Sequence, residues 1–368
     1  MKFSCDKYVL QQAAASAARA AAAKSPIPTL EGLLIEAGAS VRITGYDLKK
    51  AIYTTIDADI PEPGSVLIGA RLFCEMLRRM PDGIVTVEAE NGTVSVKCGK
   101  AAFNLVGLSA DDYPDLPTVE AENGVSLPQD LLKKMINECS FAVSTNESRP
   151  VYMGTLFEIA HNELTMVSVD GYRLALRREP VEGYGDDCSF IVPGTALSDL
   201  ERLCGDSDER VVLSVGSKHI SFTVGNTVIL SRRLEGDFLN YKKAIPESFR
   251  VTVKTARTDL LEVVERVSLI IDSKNNAPLR LTFRKDAIDF VCTTPLGKAA
   301  DSCPCEGDGG DLEIGFNDHY LSDALKAAPA DELNVCLNTG SSPCIFVPAD
   351  GSDNFVYMVL PVRLRAGQ

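Results

Sequence analysis

The chain lacks any uninterrupted apolar run of membrane-spanning length. Its first residues, Met1-Lys-Phe-Ser-Cys-Asp, carry no apolar signal core, and the alanine-rich run at 13–23 is interrupted by Ser16 and Arg19. A cytoplasmic protein is the simplest expectation. Histidine is scarce: His161, His219 and His319 stand alone in separate segments. The eleven cysteines include no Cys-x-x-Cys pair, and the only close pair, Cys303-Pro-Cys305, has no histidine cluster near it. Cys74, Cys98, Cys139, Cys292 and Cys336 fall in apolar or mixed segments, where a small buried thiol is the expected role. Ser/His/Asp spacing, a glycine-rich phosphate loop and paired carboxylates are all missing. The sequence therefore predicts no catalysis, no cofactor and no metal site. An enzyme would have to be built from Asp170, His161 or the Cys303/Cys305 pair, and no cofactor motif accompanies them. Positive charge is also in deficit, with 37 Lys and Arg against 51 Asp and Glu and a net charge of −14. That balance argues against a protein that grips nucleic acid over its whole surface, but leaves room for a local basic face.

At 368 residues the chain exceeds what one core comfortably holds, so two or three domains are expected. Two stretches stand out. Residues 165–169 and 173–178 read as strands meeting at Asp170-Gly171, a dipeptide suited to a tight hairpin. The Tyr172 ring and the Arg173 guanidinium should stand beside that turn. Near the C-terminus, Tyr357-Met-Val-Leu-Pro-Val-Arg-Leu364 is apolar, carries its own arginine, and holds a proline that excludes a central strand position at residue 361. Two short apolar segments with guanidinium edges would together line a shallow groove for a peptide.

The chain also repeats itself. Three places run from a short strand into an amphipathic helix: Lys2-Phe-Ser-Cys5 before Lys7, Val125-Ser-Leu127 before Gln129, and Arg250-Val-Thr-Val-Lys254 before Thr258. A second helix is expected in each unit, over 66–77, 190–200 and 312–324, with Leu197-Ser-Asp and Leu321-Ser-Asp in register. Alternating strands joined by turn signals follow each. The linkers match as well, since Leu108-Ser-Ala-Asp-Asp-Tyr-Pro-Asp-Leu-Pro117 parallels Leu234-Glu-Gly-Asp-Phe-Leu-Asn-Tyr241. Boundaries near residues 120 and 247 give three units, 1–120, 121–247 and 248–368, with 365–368 a frayed tail. Each unit is α+β, two helices on antiparallel sheets. Three such units pair edge to edge and leave two outer edges free, which a head-to-tail ring with a second copy would satisfy.

Seven features fall in a telling order: Met1-Lys-Phe3, Pro26-Ile-Pro-Thr-Leu30, Gly154-Thr-Leu-Phe-Glu158, Asp170-Gly-Tyr-Arg-Leu-Ala175, Gly236-Asp-Phe-Leu-Asn-Tyr241, Glu313-Ile-Gly-Phe-Asn317 and Val359-Leu-Pro-Val-Arg-Leu364. In that order and spacing the chain resembles the bacterial β sliding clamps of DNA polymerase III over residues 1–364. The resemblance implies a homodimer of three-domain protomers, closed into a ring around double-stranded DNA without regard to base sequence. Helices would line the hole and sheets form the outside. It implies no enzymatic activity, no cofactor and no membrane: the ring tethers the DNA polymerase III catalytic subunit, and a clamp loader opens and closes it.

Clamp-motif peptides of these and other partners are implied to dock in a cleft between the second and third domains. By resemblance, the second domain supplies Tyr152, Val169, Gly171, Tyr172, Arg173 and Leu174, and the link supplies Leu239, Lys243 and Ala244. The third supplies Ser342, Met358, Val359, Leu360, Pro361, Val362 and Arg363. Tyr152 stands where the family often has an aliphatic residue and Leu239 where proline is common, so the pocket floor should be reshaped. Gly194-Thr195 replaces a basic pair that reaches DNA in some members.

The basic residues expected to face the hole are Lys24, Arg71, Arg78, Arg79, Lys133, Lys134, Arg149, Arg202 and Lys326, with a solvated helix-face charge as the plain alternative for each. The alanines of residues 7–23 suit either a tightly packed helix or one lining the hole, with Arg19 and Lys24 on the DNA side. Phe103 and Leu105, on a strand closing the first unit, are implied to meet Ile270 and Ile271, at the end of the third unit's first helix, across the dimer boundary. The alternative function, suggested by the acidic charge, is a peptide-binding scaffold that does not encircle DNA.

Overall fold

The structure, a computed structural model, describes residues 1–119, 124–181, 187–272 and 277–364. Its α-helices are α1 (Lys7–Ala18), α2 (Ala70–Arg79), α3 (Gln129–Ser140), α4 (Gly194–Leu203), the single turn α5 (Tyr241–Ala244), α6 (Arg257–Ser268) and α7 (Asp318–Ala327). Every sheet is antiparallel. Apart from α5, each helix begins where a strand ends, and at α1 and α7 a short polar side chain takes up free amides of the first turn. The Asp6 carboxylate accepts from the amides of Tyr8 (2.8 Å) and Val9 (3.3 Å) at α1, and Asn317 Oδ1 accepts from Tyr320 N (3.1 Å) at α7.

The first helix of each repeat starts where the pattern predicts. The second does not fill its predicted stretch. Residues 66–77, 190–200 and 312–324 each open as a strand (Gly64–Gly69, Cys188–Pro193, Leu312–Phe316) before α2, α4 or α7 begins. Val66-Leu67-Ile68 and Phe190-Ile191-Val192 are buried on consecutive positions, so both faces of these strands are covered. A strand covered on both faces loses the alternation that would have announced it.

The alanine run also ends early, because α1 stops at Ala18 and residues 19–23 turn away. Ala13, Ala14 and Ala17 are buried against the Val41–Tyr46 and Lys50–Ile56 strands. A Cβ at Gly45 would stand 2.0 Å from the Ala17 carbonyl oxygen. Small side chains on α1 and glycine on the strand are what this approach of helix to sheet requires.

The described residues fold as two compact units, residues 1–119 and 124–133 with 195–233, and residues 134–181 with 187–194, 234–272 and 277–364. The first holds an eight-stranded sheet in the order Gly124–Pro128, Arg210–Val215, His219–Val224, Thr227–Arg232, Lys50–Ile56, Val41–Tyr46, Gly32–Ala37 and Gly64–Gly69. Its five-stranded sheet ends on the Ala101–Val106 strand. Between sheets and helices lies a core containing Phe3, Leu10, Ile43, Phe73 and Leu77, each large side chain contributing about 1.5–3 kcal/mol by leaving water.

The second unit has an eight-stranded sheet in the order Cys188–Pro193, Gly154–Ala160, Glu163–Val169, Arg173–Pro180, Phe355–Val359, Cys344–Pro348, Glu332–Leu337 and Val251–Ala256. Its four-stranded sheet ends on Gly297–Pro304, and α6 packs against α7. The repeat shows in the linkers: each chain segment leaving a repeat bridges back to the strand that precedes its second helix, at Leu67–Leu108, Ile191–Leu234 and Gly315–Val362.

Candidate functional site

The two stretches singled out in the sequence are neighbouring strands of the second unit. Arg173 pairs with Val359, Leu174 with Met358 and Ala175 with Tyr357. The hairpin turn sits one residue later than the Asp170-Gly171 dipeptide suggests. Gly171 (φ +95°) and Tyr172 occupy its corners, and Asp170 N donates to the Arg173 carbonyl at 3.3 Å. Asp170 shifts the turn because its Oδ1 accepts the amides of Tyr172 (2.8 Å) and Arg173 (3.0 Å). The Leu360 amide donates to the Tyr172 carbonyl (2.8 Å), and Val362 N to the Gly315 carbonyl (2.9 Å). Pro361, with no amide to give, falls between them just past the strand.

Strand alternation then divides the predicted residues between two faces. Val169, Leu174 and Met358 enter an apolar cluster that also takes in Tyr152 and Leu360 together with Phe238 of the link. Tyr152 meets Phe238 edge-on, ring centres 5.6 Å apart. Leu239 and Lys243 are exposed and Ala244 and Ser342 half-buried, and none of these four belongs to the cluster.

Arg173 points the other way. Its Nε donates to Asp170 (3.0 Å) and its NH1 to Asp323 of α7 (2.6 Å), while its plane lies 4.7 Å from the Tyr320 ring and 5.4 Å from Phe141. The guanidinium is thus a clamp between hairpin and helix, not a rim of the apolar cluster. Arg173→Ala leaves Asp170, whose side chain is 14% exposed, without its cation. A stability loss of about 3 kcal/mol, the lower end of what breaking a buried pair costs, should appear in urea unfolding, with Arg173→Lys recovering part.

On the far side of Tyr172 a cavity of about 790 Å³ is lined by Tyr172, Val362 and Arg363, and also by Arg280, Phe316, Asn317 and Tyr320. Tyr172 stacks on Tyr320 at 5.6 Å. Burial, and then the Asp170 carboxylate, push the Tyr320 hydroxyl up, so it remains a donor at neutral pH. Apolar cluster, aromatic stack and open cavity offer depressions of the kind that take the side chains of an extended peptide.

The residues available to an enzyme are dispersed or engaged. The Asp170 carboxylate is spent on its turn and on Arg173, while His161 lies in a separate hairpin with its amide on Asp187 (3.3 Å). Cys303 and Cys305 are buried, and burial pushes both thiols up, Cys303 to about 12. Among the described residues no group of three His, Cys, Asp or Glu side chains is placed to hold a metal ion.

Family models for the DNA polymerase III beta subunit match nearly the whole chain: the N-terminal domain over residues 1–117, the central domain over 126–240 and the C-terminal domain over 242–363. The chain belongs to that family, the beta sliding clamps. A beta sliding clamp of Staphylococcus epidermidis is 32% identical over 94% of this chain and 94% of its own length. That of Bacillus subtilis is 30% identical over 99% of this chain and 100% of its own. Among solved structures, the DNA polymerase sliding clamp from Bacillus subtilis matches with a TM-score of 0.95 at 29% identity, over 99% of this chain and 100% of its own. The DNA polymerase III subunit beta from Pseudomonas aeruginosa matches at 0.94 and 27%, with the same coverage. The chain is accordingly a DNA sliding clamp, of a family that is non-catalytic.

For a clamp, the placement of basic residues matters next. Arg71, Arg78 and Arg79 are exposed on α2, Lys134 on α3, Arg202 on α4 and Lys326 on α7, and Lys133 is half-buried on α3. Lys24 and Arg149 are exposed in loops. Several are partnered: Arg78 and Arg79 share Glu75, Lys133 holds Asp206 at 2.7 Å and Lys326 holds Glu265 at 2.9 Å. The residues assigned to the dimer boundary are apolar and partly exposed, with Phe103 at 41%. Ile270 and Ile271 lie past the helix rather than at its end, because α6 stops at Ser268 and Ile271 N turns back onto the Ser268 carbonyl at 2.9 Å.

Sequence reasoning missed Arg280, Phe316, Asn317 and Tyr320 as cavity residues. Glu313-Ile-Gly-Phe-Asn317 carried the signal, and the asparagine that caps α7 aims Tyr320 at the hairpin.

Proposed function

We propose that the chain works as a cytoplasmic homodimer closed head to tail around duplex DNA, loaded by a clamp loader and holding the replicative polymerase and other clamp-motif proteins through the cleft of its second unit. Three repeats with boundaries near residues 120 and 247 make up each protomer, and Lys24, Arg71, Arg78, Arg79, Lys133, Lys134, Arg149, Arg202 and Lys326 face the DNA. The observation that supports the cleft most directly is the strand pairing of Arg173–Pro180 with Phe355–Val359. It puts Leu174, Met358 and Leu360 in one apolar cluster beside an open cavity. One or two leucine-type or aromatic anchors burying there contribute about 1.5–3 kcal/mol each.

Open sheet edges support the ring. The Ala101–Val106 strand ends one sheet and exposes Phe103 and, at 78%, Val106; the Gly297–Pro304 strand ends another. Unpaired edges carrying apolar side chains are suited to pairing with a second copy. Phe103→Asp alters an already exposed position, so the protomer should fold unchanged while the seam receives an unpaired carboxylate. Light scattering after size exclusion should give a dimer mass for the parent and half that mass for the variant. A variant that stays dimeric at nanomolar concentration would remove Phe103 from the seam. Closed rings in negative-stain images of the parent test the ring itself.

A further inference from the structure

The repeat builds the cleft's arrangement a second time, inside the first unit. There the Val41–Tyr46 and Lys50–Ile56 strands form a hairpin in which Asp47 Oδ1 accepts the amides of Lys49 (2.9 Å) and Lys50 (2.8 Å), as Asp170 does for Tyr172 and Arg173. Lys50 pairs with Asp199 of α4 as Arg173 pairs with Asp323 of α7. The Arg232 amide donates to the Lys49 carbonyl (2.9 Å), as the Leu360 amide does to Tyr172. Tyr46, Ala51 and Leu230 then stand where the cleft has Val169, Leu174 and Met358. The linker crosses this sheet face too, with Tyr113 buried among Leu30, Tyr46, Leu67 and Leu230.

Between linker and sheet lies a cavity of about 720 Å³, the size of a small-ligand or peptide-anchor site. Its floor is a row in register across four neighbouring strands: Leu34, Thr44, Tyr53 and Val228. Three polar atoms of its lining are buried with no hydrogen-bond partner: Arg42 Nε, Thr44 Oγ1 and Tyr113 OH. Thr44 is 1% exposed and Tyr113 8%. Buried donors are ordinarily satisfied, and three orphans around one cavity call for something that brings acceptors. The Arg42 guanidinium lies 4.0 Å over the Tyr53 ring, which holds it in place. Glu36, Asp111 and Asp115 also line the cavity. Three carboxylates against one guanidinium disfavour a phosphate or an acidic ligand and favour one that carries a cation.

We propose that this cavity is a second peptide-binding site, distinct in specificity from the cleft. It takes an extended segment with an apolar side chain on Leu34 and Val228, backbone carbonyls on Arg42, Thr44 and Tyr113, and a lysine or arginine against Glu36, Asp111 and Asp115. The site rests on its own geometry and holds whether or not the second unit binds clamp motifs. The test is methyl NMR of the full-length protein with a pool of capped hexapeptides that fix leucine at the third position and lysine or arginine at one end. Saturable shifts are expected at the Leu34, Val228 and Leu230 methyls, while those of Leu174 and Leu360 stay put. Thr44→Val, which keeps the shape of the side chain, and Arg42→Ala should each weaken binding at least ten-fold. A matching pool ending in glutamate should bind at least ten-fold more weakly than the basic one. No shift at Leu34, Val228 and Leu230 at millimolar peptide, shifts confined to Leu174 and Leu360, or equal binding of both pools overturns the proposal.

Discussion

A clamp loaded onto circular duplex DNA should stay there at salt concentrations that strip ordinary DNA-binding proteins, and should leave once the circle is cut. The reasoning starts from charge. With 51 acidic against 37 basic residues, any positive lining must be set in a strongly negative body. Four of the basic residues assigned to DNA already have carboxylate partners: Arg78 and Arg79 on Glu75, Lys133 on Asp206, and Lys326 on Glu265. Such pairs weaken the net attraction each can offer a phosphate. Binding by phosphate neutralisation alone loses roughly 10³–10⁵ in affinity between 50 and 200 mM salt when six to ten contacts are made, and fewer contacts start from a weaker baseline. A closed ring escapes that limit, because release requires opening a protein seam. Gel filtration of labelled ring, loaded by a compatible clamp loader, before and after linearisation measures this directly. The expected result is retention on circles and loss of most of the label on linear DNA. Equal retention on both would mean binding by surface contact, and the encircling reading would fall.

The parts legible in the sequence were those that depend on short-range pattern. The hairpin at residues 165–178 announced itself through two strand-like runs meeting at a turn dipeptide, and Pro361 correctly marked where the last strand stops. The α+β class followed from strand-into-helix repeats, and the domain models of the family that the sequence features pointed to match residues 1–117, 126–240 and 242–363. What could not be read were consequences of packing. The starts of α2, α4 and α7 were hidden because the strands before them are covered on both faces. α1 ends at Ala18 where the alanines run on, because a helix end is decided by the chain packed against it, here the strand carrying Gly45. Arg173 looked like a groove edge since sequence gives a residue's position and not its face; the Asp170 and Asp323 carboxylates draw it to the helix side. Tyr320 joins the site through its stack on Tyr172, 148 positions away in sequence, and through the Arg173 guanidinium over its ring, contacts that no local pattern encodes.

Ending the chain after Val359 should cost clamp-motif binding at least about 2 kcal/mol, or roughly 30-fold in Kd, without opening the ring. Leu360 is half-buried against the cluster that holds Leu174 and Met358, and its amide fastens the strand end to Tyr172 at 2.8 Å. Val362 and Arg363 form one wall of the cavity beside Tyr172, and the Val362 amide anchors that wall to the Gly315 carbonyl at 2.9 Å. Removing residues 360–368 therefore takes away one anchor contact, one cavity wall and the restraint on the hairpin together. Strand pairing through Val359 survives, since its partners Arg173 and Cys344 are retained. The edge strands assigned to the seam lie at Ala101–Val106 and Gly297–Pro304, outside the deletion. Calorimetry with a hexapeptide clamp motif should show the loss, while light scattering still reports a dimer. Leu360→Ala, which keeps the backbone and the wall, should fall between parent and truncation. Unchanged affinity in the truncated protein would place the peptide in another groove.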